Sequence, residues 1–485
     1  MGAQAKIAIG GHGRSSSVLG ASDTGASLPC VAVMGLGVSG RAAVRYLVAQ
    51  GVKVAVSDAR NVQQLSAADL AFLADHGVEY ECGGHTLTFL RKADQILVSP
   101  GIRQDLEILM QLRNLGIPVL GELAMAAPLL HKPVIAITGT NGKTTVTALI
   151  GELLQRSGKK VFVGGNIGTS LFDYLSNPDD VDVLVLELSS FQLEAAGDFK
   201  ADVAILLNVT PDHLDRHGTL ADYAAAKMKI FSGQGAKDTA IVSGDDTFCR
   251  ELAAGLDGGQ QLLFFGHDSD CRAQVAGQCI HLQWQGKQER YNLAGSMLAT
   301  ATGGLNSAAA ILAVRTLGCQ PEAIAQGLAV FKVAAHRMAL VGESAGVFYY
   351  DDSKATNTGA VLSALENFSG NVILIAGGRD KGDDYTLLRE SVGRKVRCLI
   401  LIGEASELIA QALAGVTEVR KAGSMEDAVM LAAAIAGAGD TVLLSPACAS
   451  FDMFENYGHR GKVFADAVQK VIAHAEPVVC KAGGI

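Results

Sequence analysis

VIAITGTNGKTT, residues 134–145, decides how the chain folds. Val134–Thr138 is a short apolar run of the kind found in a strand buried on both faces. A loop with two glycines follows, and from Thr144 the pattern is helical to about Ser157. Strand, glycine loop and helix in that order make a phosphate-binding unit. The helix start offers free N–H groups and a partial positive charge. Lys143 adds a formal charge for the β- and γ-phosphates of a nucleotide, and Thr144 a hydroxyl for Mg²⁺. The loop departs from the general G-x-x-x-x-G-K-[ST] form. Ile137 stands where the first glycine belongs, and Gly139 lies only three residues before Gly142. An ordinary βα turn explains glycines, but not Gly-Lys-Thr-Thr at a helix start.

Upstream, CVAVMGLGVSGRAAVRYLVAQGVKVAVSDAR (30–60) repeats the design. Strand Cys30–Met34 leads into Gly35, Gly37 and Gly40 as G-x-G-x-x-G, then a helix, strand Lys53–Ser57 and Asp58. An acid about twenty residues past such a loop is placed to reach a ribose. The ligand's identity (NAD, FAD or a UDP-sugar) stays open on this pattern. QILVSPGI (95–102) is a further strand ending in a Ser-Pro-Gly turn, and such strand ends border the ligand crevice of an open parallel sheet. This first domain closes near Pro128–Pro133. Residues 1–29 are Gly/Ser/Ala-rich without periodicity and read as a mobile tail.

Downstream, DVLVLELSSFQLE (182–194) gives strand Val183–Leu188, whose Glu187 breaks an apolar run; a carboxylate there is costly unless a cation meets it. Strand Val203–Asn208 runs into a loop with Asp212, His213 and Asp215, and a helix carrying Lys227 follows. A carboxylate and an imidazole at two strand ends beside a phosphate loop point to a Mg²⁺-lined phosphoryl-transfer site. The whole chain, 485 residues, is too long for one core, and it is 49% hydrophobic and 18% charged. A net charge of −9 without a basic run argues against a nucleic-acid surface, and no apolar stretch is long enough to span a bilayer. Nine scattered cysteines without a C-x-x-C pair suit a reduced, cytoplasmic protein.

The compact T-G-T-N-G-K-T-T (138–145) resembles the loop of the Mur ligases and folylpolyglutamate synthetases, which use ATP to join an amino acid to a carboxylate. ELSSFQL (187–193), NVTPDHLD (208–215), DDSKATN (351–357), GGRDKGDDY (377–385) and LLSPACASFDMFENYGHRG (443–461) resemble the D-glutamate-adding branch of the Mur ligases. The resemblance runs, in order, over nearly all of the chain after Pro29. It implies an α/β protein of three domains, each an open, mostly parallel sheet with flanking helices: Rossmann-like at 30–128, P-loop ATPase-like at 129–337, and Rossmann-like at 338–485.

It also implies roles. Gly35, Gly37, Val38, Ser39, Asp58, Ser99 and Gly101 face the UDP group of UDP-N-acetylmuramoyl-L-alanine; Asn166, Ser189 and Gln192 line the muramoyl-alanine pocket. Gly139, Thr140, Asn141, Gly142, Lys143, Thr144 and Thr145 hold the ATP phosphates, and Asn306, Arg337 and Asp352 the rest of the nucleotide. Thr144 and Glu187 stand at one Mg²⁺; His213 and a carbamylated Lys227 at a second. Lys354, Thr356, Lys381, Ser450 and Tyr457 address D-glutamate. The resemblance further implies a cytoplasmic monomer without nucleic-acid or membrane partners, acting in cell-wall precursor synthesis. One departure stands out. The family carries H-N-x-x-N-x-x-A-A before its third domain, whereas LNSAAAILA (305–313) keeps Asn306 but has Leu305 and Ala309, which puts the adenine contact in question. The remaining alternatives are a folylpolyglutamate synthetase-type ligase, a P-loop motor or regulatory ATPase, and a nucleotide-binding homologue with weakened catalysis.

Overall fold

A computed structural model describes residues 29–178 and 180–475; the expected tail, residues 1–29, falls outside them except for Pro29. Among the described residues twenty strands form three sheets. The first contains β1 (Cys30–Met34), β2 (Lys53–Asp58), β3 (Glu79–Cys82), β4 (Gln95–Val98) and β5 (Val119–Gly121), in the order β3-β2-β1-β4-β5 and parallel throughout.

The second contains β6 (Val134–Thr138), β7 (Val161–Gly165), β8 (Val183–Glu187), β9 (Val203–Leu206), β10 (Thr239–Ser243), β11 (Gln261–Gly266), β12 (Ala273–Ala276), β13 (Cys279–Trp284) and β14 (Lys287–Asn292). Its order is β14-β13-β12-β11-β10-β9-β6-β8-β7, parallel except for the terminal meander β12-β13-β14. Strands β6, β8 and β9 are buried along their whole length, as unbroken apolar sequences in a sheet covered on both faces must be. The helices Lys143–Arg156 and Ala301–Thr316 pack together on one face, where Leu149, Leu153, Ile311 and Leu312 join a single core.

The third sheet contains β15 (Ala339–Ser344), β16 (Val347–Asp351), β17 (Val372–Gly377), β18 (Val396–Ile402), β19 (Glu418–Lys421) and β20 (Thr441–Leu444) in the order β15-β16-β20-β17-β18-β19. Only the edge pair β15–β16 is antiparallel. The three-part α/β architecture of open, mostly parallel sheets is therefore present. Among the described residues no helix is long and apolar enough to cross a membrane.

Candidate active site

Sheet order assembles the site. Strand β6 lies between β8 and β9, with Ile137 opposite Glu187 and Thr138 opposite Leu206. The phosphate loop, Glu187 and the loop after β9 therefore leave neighbouring strands at their carboxyl ends, where ligands of open α/β sheets bind.

The phosphate loop is tightly built. Gly142 caps the helix Lys143–Arg156 at φ 85°, and a Cβ there would stand 2.7 Å from Asn306 Oδ1, so glycine is required by conformation and by space. The Thr140 N–H donates to Asn208 O and the Asn141 N–H to Asn208 Oδ1; Thr140 Oγ1 donates to Thr210 O and accepts from its N–H. Lys143 Nζ donates to Gly139 O and Thr140 O, both at 2.8 Å, and Lys227 Nζ donates to the same Gly139 O at 2.8 Å. Burial, then the Lys143 charge, holds the Lys227 amine well below the ordinary lysine range. Burial also lowers Lys143, against the pull of Glu187 and Asp212. Arg337, from the connection into the third domain, donates from Nη2 to Thr144 Oγ1 at 2.8 Å. Thr145 opens the helix behind this loop and is buried.

Glu187 is 2% exposed, and its Oε2 is buried without a hydrogen-bond partner, while Oε1 accepts from Asn166 Nδ2 at 2.8 Å. A half-satisfied buried carboxylate is expensive unless a cation completes it. Together with the Thr144 hydroxyl it suits a hard, oxygen-seeking ion such as Mg²⁺. The second expected metal position fits less simply. Among the described residues no group of three His, Cys, Asp or Glu could hold an ion, and Lys227 as an ammonium ion cannot ligate one. Ser189 and Gln192 are engaged with each other in a capping box on helix Ser190–Glu194: Ser189 Oγ accepts from the Gln192 N–H, and the Ser189 N–H and Oγ donate to Gln192 Oε1.

His213 has a left-handed backbone, φ 56°, uncommon away from glycine and found where surrounding structure enforces it. Its neighbour Asp212 carries a contact that sequence reading did not assign. Asp212 Oδ1 accepts from Lys381 Nζ at 2.8 Å, and Oδ2 from Asn357 Nδ2 at 2.8 Å. Burial pushes the Asp212 carboxyl up, but Lys381, His213 and Asn357 together bring it below its ordinary value. Asn357 also pairs with Asn141 of the phosphate loop and caps the helix Thr358–Leu365. One buried amide thus joins the phosphate loop, the His213 loop and the third domain.

In the third domain Asp352 accepts from the Met338 N–H and from Ser445 Oγ, and burial raises its carboxyl to about 7. Lys354 Nζ stands 3.8 Å from the Tyr457 ring centroid, and burial brings its amine down to about 8. Thr356 is half-buried between Ala355 and Asn357, and Ser450 is buried at the turn after β20. The two loops that carry these residues are tied by Arg460, a fully buried guanidinium donating to Ser353 O, Ser353 Oγ, Cys448 O and Ala449 O. A cavity of about 370 Å³ opens between the central and third domains, bordered by Asn141, Gly142, Leu305, Asn306, Arg337 and Asp352 among others.

The first domain's glycine loop is organised differently. Gly40 lies so close to Gly35 that a Cβ would meet Gly35 O at 2.0 Å, and Ser99 Oγ donates to the same oxygen. Asp58 is the last residue of β2 and does not stand free for a ribose. Its Oδ2 accepts from the Leu36 N–H at 2.7 Å, and both oxygens accept from the Arg60 side chain. The Arg60 hydrogen bond holds the carboxyl well below the aspartate range. Asp58 therefore shapes the loop, and Arg60, which the sequence reading passed over, carries the charge that faces outward, 40% exposed. Gly37, Val38 and Gly101 are exposed, and Ser39 is half-buried at the loop's helix start.

Residues 30–121, 137–313 and 336–448 match, in turn, the MurD-like N-terminal domain, the middle domain and the glutamate ligase domain of the Mur ligases. The chain is 56% identical over 433 residues to a UDP-N-acetylmuramoylalanine–D-glutamate ligase of Desulfotalea psychrophila, covering 89% of this chain and 94% of that one. The chain belongs to the Mur ligase family. A second relative, the enzyme of the same name in Syntrophotalea carbinolica, is 42% identical, with coverage of 90% and 97%. In fold the Mur ligase also matches a MurF ligase from Thermotoga maritima solved with ADP (TM-score 0.59, 19% identity, coverage 87% and 96%) and a pseudomurein peptide ligase type C from Methanothermus fervidus (TM-score 0.57, 20% identity, coverage 91% and 100%).

The departure at LNSAAAILA resolves into two different positions in this Mur ligase. Leu305 borders the cavity beside Asn306. Ala309 is fully buried in the central core and is not among the residues that border the cavity. Alanine at 309 packs into that core one turn beyond Asn306, on the same side of the helix.

Proposed function

We propose that this Mur ligase joins D-glutamate to UDP-N-acetylmuramoyl-L-alanine with ATP, through an acyl phosphate, in cytoplasmic peptidoglycan precursor synthesis. The observation that carries the reading is the Lys381–Asp212 ion pair. It places a cationic turn of the glutamate ligase domain against the loop that also packs on the phosphate site, so an amino-acid carboxylate and a nucleotide phosphate can be held together.

The chemistry explains why both are needed. A carboxylate does not acylate an amine, because oxide would have to leave. Transfer of the ATP γ-phosphoryl group to the alanyl carboxylate makes a mixed anhydride. The amine of D-glutamate then attacks its carbonyl carbon, the tetrahedral oxyanion collapses, and phosphate leaves. The cluster of Lys143, Arg337 and Lys354 offsets the charge that builds on the transferring oxygens. The phosphate-loop N–H groups orient the nucleotide, and the Asn166 amide keeps Glu187 in place. Thr144 and Glu187 would hold Mg²⁺, which when bound would further neutralise phosphate charge. Lys381 exchanges Asp212 for a carboxylate of D-glutamate, and Tyr457 and Ser450 close that side. Carbamylation of Lys227 accords with its buried, proton-shedding amine: the ammonium loses a proton, CO₂ adds to the neutral nitrogen, a second proton is released, and a cation becomes an anion. The protein is expected to act as a monomer.

Phosphate release measured with UDP-N-acetylmuramoyl-L-alanine and ATP, with and without D-glutamate, tests the reading. Sustained release that requires D-glutamate supports it. Release indifferent to D-glutamate points to a plain ATPase, and ligand binding without turnover to a weakened homologue.

A further inference from the structure

A row of side chains connects His213 to Lys227. The His213 ring meets Phe191 edge-on, centroids 5.0 Å apart and planes at 60°. Phe191 stacks on His217 at 5.5 Å and 18°, and His217 leans on Tyr223 at 5.1 Å. The Tyr223 ring carries Lys227 Nζ at 4.3 Å from its centroid. His217 is the middle member, and its side chain is only 2% exposed. Both of its nitrogens are engaged: Nε2 lies 3.0 Å from Ser190 Oγ and Nδ1 3.1 Å from Glu194 Oε1. A carboxylate on Nδ1 favours the Nδ1–H tautomer, leaving Nε2 to accept from the serine hydroxyl. Both partners belong to helix Ser190–Glu194, which also carries Phe191. Phe191 is held from another side by Arg216, whose guanidinium lies 4.9 Å from the ring centroid, donates to Glu194 Oε2 at 2.9 Å and reaches Ile102 O of the first domain at 3.2 Å.

We propose that His217 is a positioning residue for ligation: its ring, seated between Phe191 and Tyr223, fixes where His213 and Lys227 stand. The proposal rests on the ligase reading of the site. Packed rings transmit displacement because a close-packed interior leaves no slack to absorb it. His213 takes a left-handed backbone in the loop after β9 and its side chain is 39% exposed, so the Phe191 edge bears directly on where its ring stands. The polar bonds of His217 anchor the ring to the helix; the ring does the positioning. Ser190 is itself buried, so Ser190, His217 and Glu194 form an anchor and not a nucleophile with its base.

Three substitutions separate ring from anchor. His217→Ala removes both, His217→Gln keeps a polar side chain and removes the ring, and His217→Phe keeps a ring and removes the polar bonds. Two quantities are read for each: kcat and KM of D-glutamate-dependent phosphate release, and the His213 ring signal in ¹³C-histidine-labelled protein, identified by its loss in His213→Gln. His217→Ala and His217→Gln are expected to lower kcat by about 10- to 100-fold, with KM for ATP within about twofold, and to shift or broaden the His213 signal. His217→Phe is expected to stay within about threefold of the wild-type kcat and to leave that signal in place. Wild-type kcat in His217→Ala, an unmoved His213 signal there, or rescue by Gln but not by Phe overturns the proposal. If the His217 variants fail to fold, Phe191→Leu against Phe191→Tyr decides: equal kcat in the two overturns it. Wild-type protein that does not ligate overturns the ligase reading instead, and the His213 signal still reports on the ring.

Discussion

Two glycine loops follow two buried parallel strands in this molecule, and they handle charge in opposite ways. In the first domain the loop at Gly35–Gly40 is closed by its own groups: Asp58 takes the Leu36 N–H, and Arg60 answers the carboxylate. In the central domain the loop at Gly139–Gly142 gathers cations. Lys143 and Lys227 share one carbonyl oxygen, and Arg337 bonds to the threonine beside them. The first arrangement is complete in itself and offers a surface of fixed shape. The second brings two amines and a guanidinium together, each lowered in proton affinity by burial, and the charge of a polyphosphate would favour their protonated forms. On the proposed function, the same strand–loop–helix grammar would serve recognition in one domain and electrostatic stabilisation of a reaction in the other.

The contrast is broken most severely at Lys143. Lys143→Ala is expected to lower kcat for ligation by about 10³-fold or more while the thermal midpoint stays near that of wild type; normal turnover in a folded variant would show that the charge is not catalytic. Lys227→Ala is expected to cost about 10²-fold in kcat, with part of the rate restored by added acetate, and Lys227→Arg to be refractory to acetate because the guanidinium keeps the wrong sign and fills the space. Absence of any rescue, or a mass spectrum of gently prepared protein without a carbon dioxide adduct at Lys227, would count against the carbamate. In the other loop a smaller effect of a different kind is expected. Asp58→Asn should raise KM for the UDP-linked substrate about tenfold with kcat within about twofold. The stability conferred by wild-type Asp58 is fully present above the ordinary aspartate value of about 4 and is lost as pH falls through its lower folded value, so urea midpoints of the two proteins should converge in acid. The smallest kinetic effect is expected at Ala309→Asn. An amide buried in the core should cost about 1–3 kcal/mol of stability and leave KM for ATP unchanged; a lowered KM would return position 309 to the nucleotide site.

Local spacing carried the readings that were available from sequence. VIAITGTNGKTT fixes strand, loop and helix within twelve residues, so a lysine and a threonine at the helix start needed no tertiary information. Glu187 was visible because it interrupts an apolar strand, and His213 because its loop follows one. What could not be read is whatever spans the folded distance. Asp212 meets residues 145 and 169 positions away, and Arg337 meets Thr144 across 193; neither composition nor periodicity encodes such pairs. Asp58 shows the converse. Its spacing predicts an acid placed to reach a ribose; it ends β2, and the partner two residues on, Arg60, engages the carboxylate. Helical phase puts Leu305 and Ala309, four residues apart, on the same side of their helix, and only the tertiary surroundings show that 305 borders the cavity while 309, a turn further on, is enclosed by the core.

Arg460 has a consequence for how much of the chain recognition requires. The loops at Ser353 and Cys448–Ala449 follow adjacent strands β16 and β20, yet the group that draws their carbonyls together arrives from the helix Tyr457–Ala475, beyond β20 in the chain. A polypeptide stopped at residue 456 would contain every strand of the third sheet and the loops at Ser353 and Cys448–Ala449, but not Tyr457 or Arg460. It would lack the clasp that sets one loop against the other, leaving several carbonyl groups to seek water. Phe464 and Val468 of the same helix are fully buried in the core of the third domain, so truncation there should remove core packing and clasp together, and one helix supports both the sheet and the loops that leave it.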